Sequence, residues 1–306
     1  MSCPICKSNE HVRHSAHSDR RKGLSGTWEF HACTGCGFLF LFPHLREHEL
    51  KEFYRHYSDA DQVRIAQRRG TVFRSLRRLF HLVSGDVDPR DFIRISGDPR
   101  MLDFGSGVAG YLSDFHARGV RISGAEVATH LVNESRSLGL DVHKVENLRQ
   151  IPFGNAEFDV VYLMQVFEHL SDPAQIMLEL ARVLKPGGEM YLAVPNARSA
   201  WRRIFGRNWV SGWFAPFHLF QYDRGTLTRL ASQHGFHPVA SWSRTPEAWF
   251  RLNLKAAYYP AEVRLDRRKG WLDARPVRYA LMLVLRILEL PMRERDCLVM
   301  HLRKST

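Results

Sequence analysis

Two pairs of cysteines open the chain, Cys3-Pro-Ile-Cys6 and Cys33-Thr-Gly-Cys36, separated by 26 residues. A CxxC turn presents two thiolates to one ion, and four thiolates complete a tetrahedral zinc shell with no open position. The spacing therefore points to a structural Zn2+ held by Cys3, Cys6, Cys33 and Cys36. A redox dithiol is the competing chemistry, and it more usually appears as a single CxxC opening a helix. Five cysteines in 306 residues are too few for a disulfide scaffold and fit a reducing compartment. Residues 1–30 are polar and no apolar run reaches the roughly 18 residues of a spanning helix, so a cytoplasmic location is the expectation.

A second group of residues suits a nucleoside ligand. The run Leu102-Asp103-Phe104-Gly105-Ser106-Gly107-Val108-Ala109-Gly110 joins an apolar stretch to a helical one. Its glycines permit a tight turn and a close approach of backbone to ligand. Glu126, 23 residues after Asp103, ends the next apolar stretch, where an acid grips a ribose diol. NAD and S-adenosylmethionine both carry that ribose. Asp103 separates them: a carboxylate beside the loop repels a pyrophosphate and suits the ammonium of a methionine moiety.

Two histidines are candidates for acid–base work. His169 stands in Phe167-Glu168-His169-Leu170 and His218 in Pro216-Phe217-His218-Leu219. Imidazole titrates near neutrality and can take a proton from an acceptor hydroxyl. With 16 histidines in the chain, residue type alone does not select these two, and orientation or packing is the alternative role for each.

The elements that must position these groups follow from periodicity. Apolar strands at 100–104, 120–126, 158–164 and 189–194 alternate with helices at 111–118, 129–138 and 173–184, which predicts repeated βαβ units and a parallel sheet. Further strands are expected at 238–244 and 297–304, with 246–295 helical and loopy. Residues 44–83 read as helical. Within them 64–83 forms a basic amphipathic pattern on Phe73, Leu76, Phe80 and Val83. The aromatic run 198–220 fits either an acceptor pocket and lid or core packing. Four regions result: 1–43 around the cysteines, a helical connector or lid at 44–98, a catalytic domain at 99–245, and a helical insertion with the last strand at 246–306.

Ile151-Pro152-Phe153, Phe158-Asp159-Val160-Val161, Phe167-Glu168-His169-Leu170-Ser171-Asp172-Pro173 and Val183-Leu184-Lys185-Pro186-Gly187-Gly188 follow the glycine loop in order. At these residues the chain resembles the class I S-adenosylmethionine-dependent methyltransferases of the ubiquinone-biosynthesis-like branch. Cys36-Gly37-Phe38, Phe53-Tyr54 and Tyr57 resemble the zinc-bearing N-terminal module of bacterial members. The resemblance implies a Rossmann-like α/β fold: a seven-stranded, mostly parallel sheet with helices on both faces, plus a small zinc-ribbon-like module. It implies that Asp103, Gly105, Ser106 and Gly107 hold the methionine end of the cofactor and that Glu126 holds the ribose. Asn147 and Leu148 fall at the adenine, Met164 and Gln165 on the cofactor floor, and Tyr54 and Tyr57 over the cofactor. Ala109 departs from the family's third glycine.

Charge refines the partners. The chain carries 44 Lys+Arg against 32 Asp+Glu, a net +12, with 44% hydrophobic and 25% charged residues, as in a soluble globular protein. Residues 101–195 are net −5, which suits a cationic cofactor, whereas 196–306 are net +12. The leading expectation is methyl transfer to a small-molecule acceptor (sugar, lipid, quinone or other secondary metabolite) at oxygen, nitrogen or carbon. The alternative is a zinc-module RNA methyltransferase, favoured by the basic charge. Against it, Met164-Gln165-Val166-Phe167 stands where exocyclic-amine base methylases carry an Asn/Asp-Pro-Pro-aromatic run. A third expectation is peripheral membrane contact through the basic C-terminal segment, where Arg264, Arg275 and Arg286 flank Tyr279, Leu283 and Ile287.

Overall fold

The computed structural model describes residues 2–43, 45, 49 and 83–306. The helix expected over 64–83, apart from Val83, lies outside the described residues, as do Tyr54 and Tyr57.

Three short strands surround the cysteines: β1 (His11–His17), β2 (Trp28–Cys33) and β3 (Leu39–Phe42). They pair antiparallel in that order, and the sheet is completed by β9 (Phe220–Gln221), with Leu39 opposite Gln221 and Phe40 opposite Phe220.

The larger sheet contains β4 (Arg100–Phe104), β5 (Arg121–Glu126), β6 (Val142–Lys144), β7 (Phe158–Met164), β8 (Leu184–Pro195), β10 (Phe236–Arg244) and β11 (Cys297–Lys304). Its order is β10-β11-β8-β7-β4-β5-β6. β11 runs antiparallel to both neighbours, and the other pairings are parallel. β7, Phe-Asp-Val-Val-Tyr-Leu-Met, is apolar at all but one position because parallel strands are covered on both faces.

Helices cross between these strands: α1 (Pro89–Phe92) precedes β4, α2 (Gly110–His116) follows it, and α3 (Thr129–Ser137) follows β5. In α4 (Pro173–Val183), Asp172 caps the first turn by accepting from Gln175 N at 3.1 Å, Pro173 opens it, and Ile176, Met177, Leu180 and Val183 form the buried stripe. Further helices among the described residues are α5 (Ala200–Phe205), α6 (Val210–Trp213), α7 (Arg224–Ser232), α8 (Glu247–Tyr258) and α9 (Arg275–Leu288).

Two details differ from the sequence-based expectation, and a third decides between alternatives that the sequence leaves open. β8 begins at Leu184 rather than after Gly188. Phe158 pairs with Leu184, then the register slips so that Val160 pairs with Glu189, and Lys185-Pro-Gly-Gly is a bulge inside the strand with Gly187 at φ 73°. β6 and β9, three and two residues long, are too short to show a period of two. The aromatic run 198–220 is core packing. Trp209, Phe217 and Phe220 are fully buried, Trp209 Nε1 donates to Asp296 Oδ1 at 2.8 Å, and His17 stacks on Trp213 with centroids 4.2 Å apart.

Candidate functional site

The strand order reverses direction between β4 and β7: the chain runs outward through β5 and β6, then crosses back to β7 and β8. At such a switch the loops at the carboxyl ends of the two central strands diverge and leave a crevice. Asp103 and the glycine loop end β4, Glu126 ends β5, and Met164 and Gln165 end β7. The fold thus brings these expected cofactor residues to one edge of the sheet. A cleft of about 1360 Å³ opens by Pro99, Asp159 and Lys185–Gly188, at the opposite strand ends, away from this chemistry.

The loop is closed by its own backbone. Gly105 N and Ser106 N donate to Ala125 O at 2.8 and 3.1 Å, stitching the turn to β5. Gly105 has φ 78°, and a Cβ there would sit 2.5 Å from Val166 Cγ2, so the segment after β7 packs directly on the glycine. Ala109, in place of the third glycine, adopts φ 54° and begins α2; the loop keeps its left-handed turn with an alanine in it. Gln165 also lies at positive φ, 58°, and donates from Nε2 to Cys297 Sγ at 3.2 Å. Two non-glycine residues in this conformation on facing loops mark a site whose backbone is held against local preference.

Glu126 bridges the loop and the next helix. Its Oε2 accepts from Gly107 N at 2.9 Å and its Oε1 from Ala128 N at 2.8 Å. Each oxygen keeps a second acceptor direction, as a ribose diol requires. Asp103 is buried, and burial pushes its carboxyl up to about 7; the Tyr162 hydroxyl opposes the shift and the Glu126 charge adds to it. A cationic ammonium beside it would favour the ionised form. Ser106 Oγ is buried with no hydrogen-bond partner among the described residues. An orphaned hydroxyl, an acid awaiting a cation and a glycine cradle fit an aminoacyl nucleoside. Asn147 is exposed, and its Oδ1 accepts from Arg149 N at 2.8 Å; Leu148 beside it is half-buried.

Beyond β7 the structure assembles a cluster that the sequence separates by about fifty positions. His169 Nδ1 lies 2.9 Å from Phe217 O, and His218 Nδ1 lies 2.7 Å from Gly212 O. Each imidazole donates that proton to a carbonyl, which fixes the tautomer and turns Nε2 toward Glu168. Both Nε2 atoms stand 3.9 Å from Glu168 Oε1. The Glu168 side chain is wholly buried and neither oxygen has a hydrogen-bond partner among the described residues. Burial pushes its carboxyl up to about 8, holds His169 down to about 4, and depresses His218 well below the ordinary imidazole range. All three are therefore neutral near pH 7. The His169 side chain keeps 19% exposure against 6% for His218, so His169 is the more open of the two. Glu168 was not singled out from sequence. The available signal was a charged pair, Glu168-His169, between Phe167 and Leu170 just past a strand end.

The four N-terminal cysteines converge. Cys3 Sγ lies 3.6 Å from Cys36 Sγ, Cys6 Sγ lies 3.4 Å from Cys33 Sγ, and all four sulfurs fall within 4.8 Å of one another, none in a disulfide. Four thiolates about 2.3 Å from one tetrahedral ion stand about 3.8 Å apart, so the set fits zinc. The loop between β1 and β2 anchors this module to the rest: Arg20 donates to Asn208 Oδ1 at 3.0 Å and Tyr259 O at 2.8 Å, and Arg21 lies over the Phe214 ring at 3.9 Å.

Comparison with known proteins gives the family. A family model described as a methyltransferase domain matches residues 65–241. The ubiquinone biosynthesis O-methyltransferase of Xanthomonas oryzae pv. oryzae is 37% identical over 110 residues, 33% of this chain and 45% of that protein. The enzyme of the same name from Maricaulis maris is 32% identical over 132 residues, 42% of this chain and 46% of that one. The chain thus spans about half the length of the curated relatives it matches. A chain from the complex of the Haloferax volcanii Trm112 methyltransferase activator with a methyltransferase superposes at TM-score 0.50, with 14% identity over 85% of this chain and 99% of that one, a likeness of fold. With the family match covering more than half of its residues, the chain belongs to the methyltransferase domain family.

Proposed function

We propose that the chain is an S-adenosylmethionine-dependent methyltransferase acting on a small-molecule acceptor, and that Cys3, Cys6, Cys33 and Cys36 hold a structural Zn2+. The observation that carries the first part is the glycine loop at the β4/β7 switch, where Glu126 braces Gly107 and Ser106 Oγ is left without a partner. The names of the relatives above support a hydroxyl acceptor.

When bound, the cofactor supplies an electrophilic sulfonium methyl. Asp103 takes up the ammonium, Glu126 the ribose, and Met164 and Gln165 form the floor, while Asn147 and Leu148 border the adenine. The chain's further task is to align the acceptor and remove its proton. His169, neutral and partly open, is the group for that proton. Its Nδ1 is committed to Phe217 O, so Nε2, the nitrogen on the side of Glu168, is the atom that would take the proton, and Glu168 and His218 fix the imidazole on that side.

Titration with S-adenosylhomocysteine tests the reading. Heat of binding and a raised melting temperature are expected; neither appearing would leave a Rossmann-like domain that has lost its ligand. One zinc per chain by total metal analysis is expected for the module, and a folded, metal-free protein would refute that part.

A further inference from the structure

Helix α9 lies beyond the residues matched by the family model and takes no part in the site described above. Its sequence, Arg-Pro-Val-Arg-Tyr-Ala-Leu-Met-Leu-Val-Leu-Arg-Ile-Leu, is strongly amphipathic. Met282 and Leu285 are buried and dock it on the protein. The opposite face should then be polar. Instead Tyr279, Leu283 and Ile287 follow one another at intervals of four residues along the exposed side, Leu283 at 60% and Ile287 at 66% exposure. Val284 and Leu288 widen this stripe, and Leu290, at 78%, extends it past the helix end. Single exposed leucines are ordinary, but a continuous apolar face on the solvent side of a helix is not.

Between residues 267 and 293 every exposed charged residue is basic, and the acids there, Asp273 and Glu289, are drawn to Arg251 and Arg286. Arg275 continues the line of Tyr279 one turn earlier and is exposed. Arg278 and Arg286 lie along the flanks, turned toward Glu247 and toward Glu289. Arg293 beyond the helix and Arg267 and Lys269 before it are exposed. The helix itself contains no acid. Exposed Trp271 stands just ahead of its first turn with exposed Tyr258 beside it, ring centroids 6.4 Å apart. Apolar stripe, cationic border and amphipathic aromatics at one end are what an in-plane helix presents to a bilayer.

We infer that α9 is a docking face for an anionic lipid surface, lying flat with Leu283 and Ile287 turned into the acyl boundary and Arg275 and Arg293 at the headgroups. A second copy of the chain fits less well. A two-fold contact lays the helix antiparallel to its own copy, bringing the Arg275 end toward the Arg293 end, cation toward cation, with no acid on the helix to answer them. Among the described residues no helix is long and apolar enough to cross a membrane, so contact is at the surface.

Flotation of the full chain with vesicles tests this. The chain is expected to float with vesicles containing phosphatidylglycerol and not with phosphatidylcholine alone, and to release at high salt. Leu283→Glu or Ile287→Glu is expected to weaken binding more than about tenfold, and Arg275→Ala about fivefold. All three positions are exposed, so circular dichroism and S-adenosylhomocysteine binding should stay unchanged, which separates failure of this inference from failure of the proposed activity. No flotation with anionic vesicles, equal flotation of the Leu283→Glu variant, or a dimer in sedimentation velocity that the same variant dissolves would each overturn it.

Discussion

His218 Nε2 stands 3.9 Å from Glu168 Oε1, and both groups are almost wholly enclosed. A carboxylate enclosed in this way pays a large desolvation cost when charged, so it keeps its proton into the neutral range. The pair is thus a store of one proton behind the more open His169.

This has a pH signature in stability. Burial raises the Glu168 carboxyl from 4.5 to about 8. A group raised on folding contributes stability that is complete below its unfolded value and is lost as pH rises through its folded one. Asp103 and Asp296, each raised to about 7 by burial, act in the same direction. The cofactor-free chain is expected to lose stability from about pH 6.5 to about pH 8, as read by denaturant melts, whereas below about pH 6.5 the buried His17, His169 and His218, all held down, act in the opposite direction. Glu168→Gln, which cannot ionise, should flatten that slope and gain on the order of a few kcal/mol over wild type at the alkaline end. Parallel pH profiles for the two proteins would remove Glu168 from this account.

The two histidines should differ in kinetics. With a hydroxyl acceptor, His169→Ala is expected to lower kcat by about 100-fold or more with little change in S-adenosylhomocysteine affinity. His169 is held down to about 4, so wild-type kcat/KM should fall on the acid side near that value rather than near 6.5. His218→Ala removes the buried partner, and His169 alone then faces Glu168; a smaller loss of kcat together with a moved acid limb is expected. Unchanged turnover in His169→Ala would mean that an unassisted acceptor is used.

Gly105→Ala places a methyl 2.5 Å from Val166 Cγ2 at a φ of 78°. Left-handed backbone and overpacking together cost roughly 2–4 kcal/mol. The variant should melt earlier and bind S-adenosylhomocysteine at least tenfold more weakly by calorimetry. Wild-type affinity would show that the loop moves aside freely.

Cys33→Ser should bring zinc content well below one per chain and lower the melting temperature. Cys33 is among the buried residues of the main hydrophobic core, so the loss should spread beyond the module. A full-strength melt after chelation, with no zinc detected, would contradict the metal assignment.

The sequence made the central sheet legible for a physical reason. β7 and the end of β8 are apolar runs, as strands buried on both faces have to be, while Gly105 closes β4 and Glu126 closes β5. The glycine loop and the four cysteines were legible because their spacing is local. Glu168 was not, because its meaning comes from Gly212 and Phe217, whose carbonyls aim two imidazoles at it from a distant segment. The aromatic run 198–220 had the composition of a pocket, and only burial, with Trp209 tied to Asp296, shows it to be packing. The helix at α9 followed from its period of 3.6, whereas the side of it left uncovered required the fold.

The pairing of Phe40 with Phe220 has a consequence for how the protein could be rebuilt. Phe220 lies two residues after His218, so the edge of the cysteine module is also the backrest of the imidazole pair. By the same coupling, residues 1–43 are no interchangeable cassette: a transplanted module would arrive with its last edge bare, and the recipient would inherit a histidine with nothing to hold it in register.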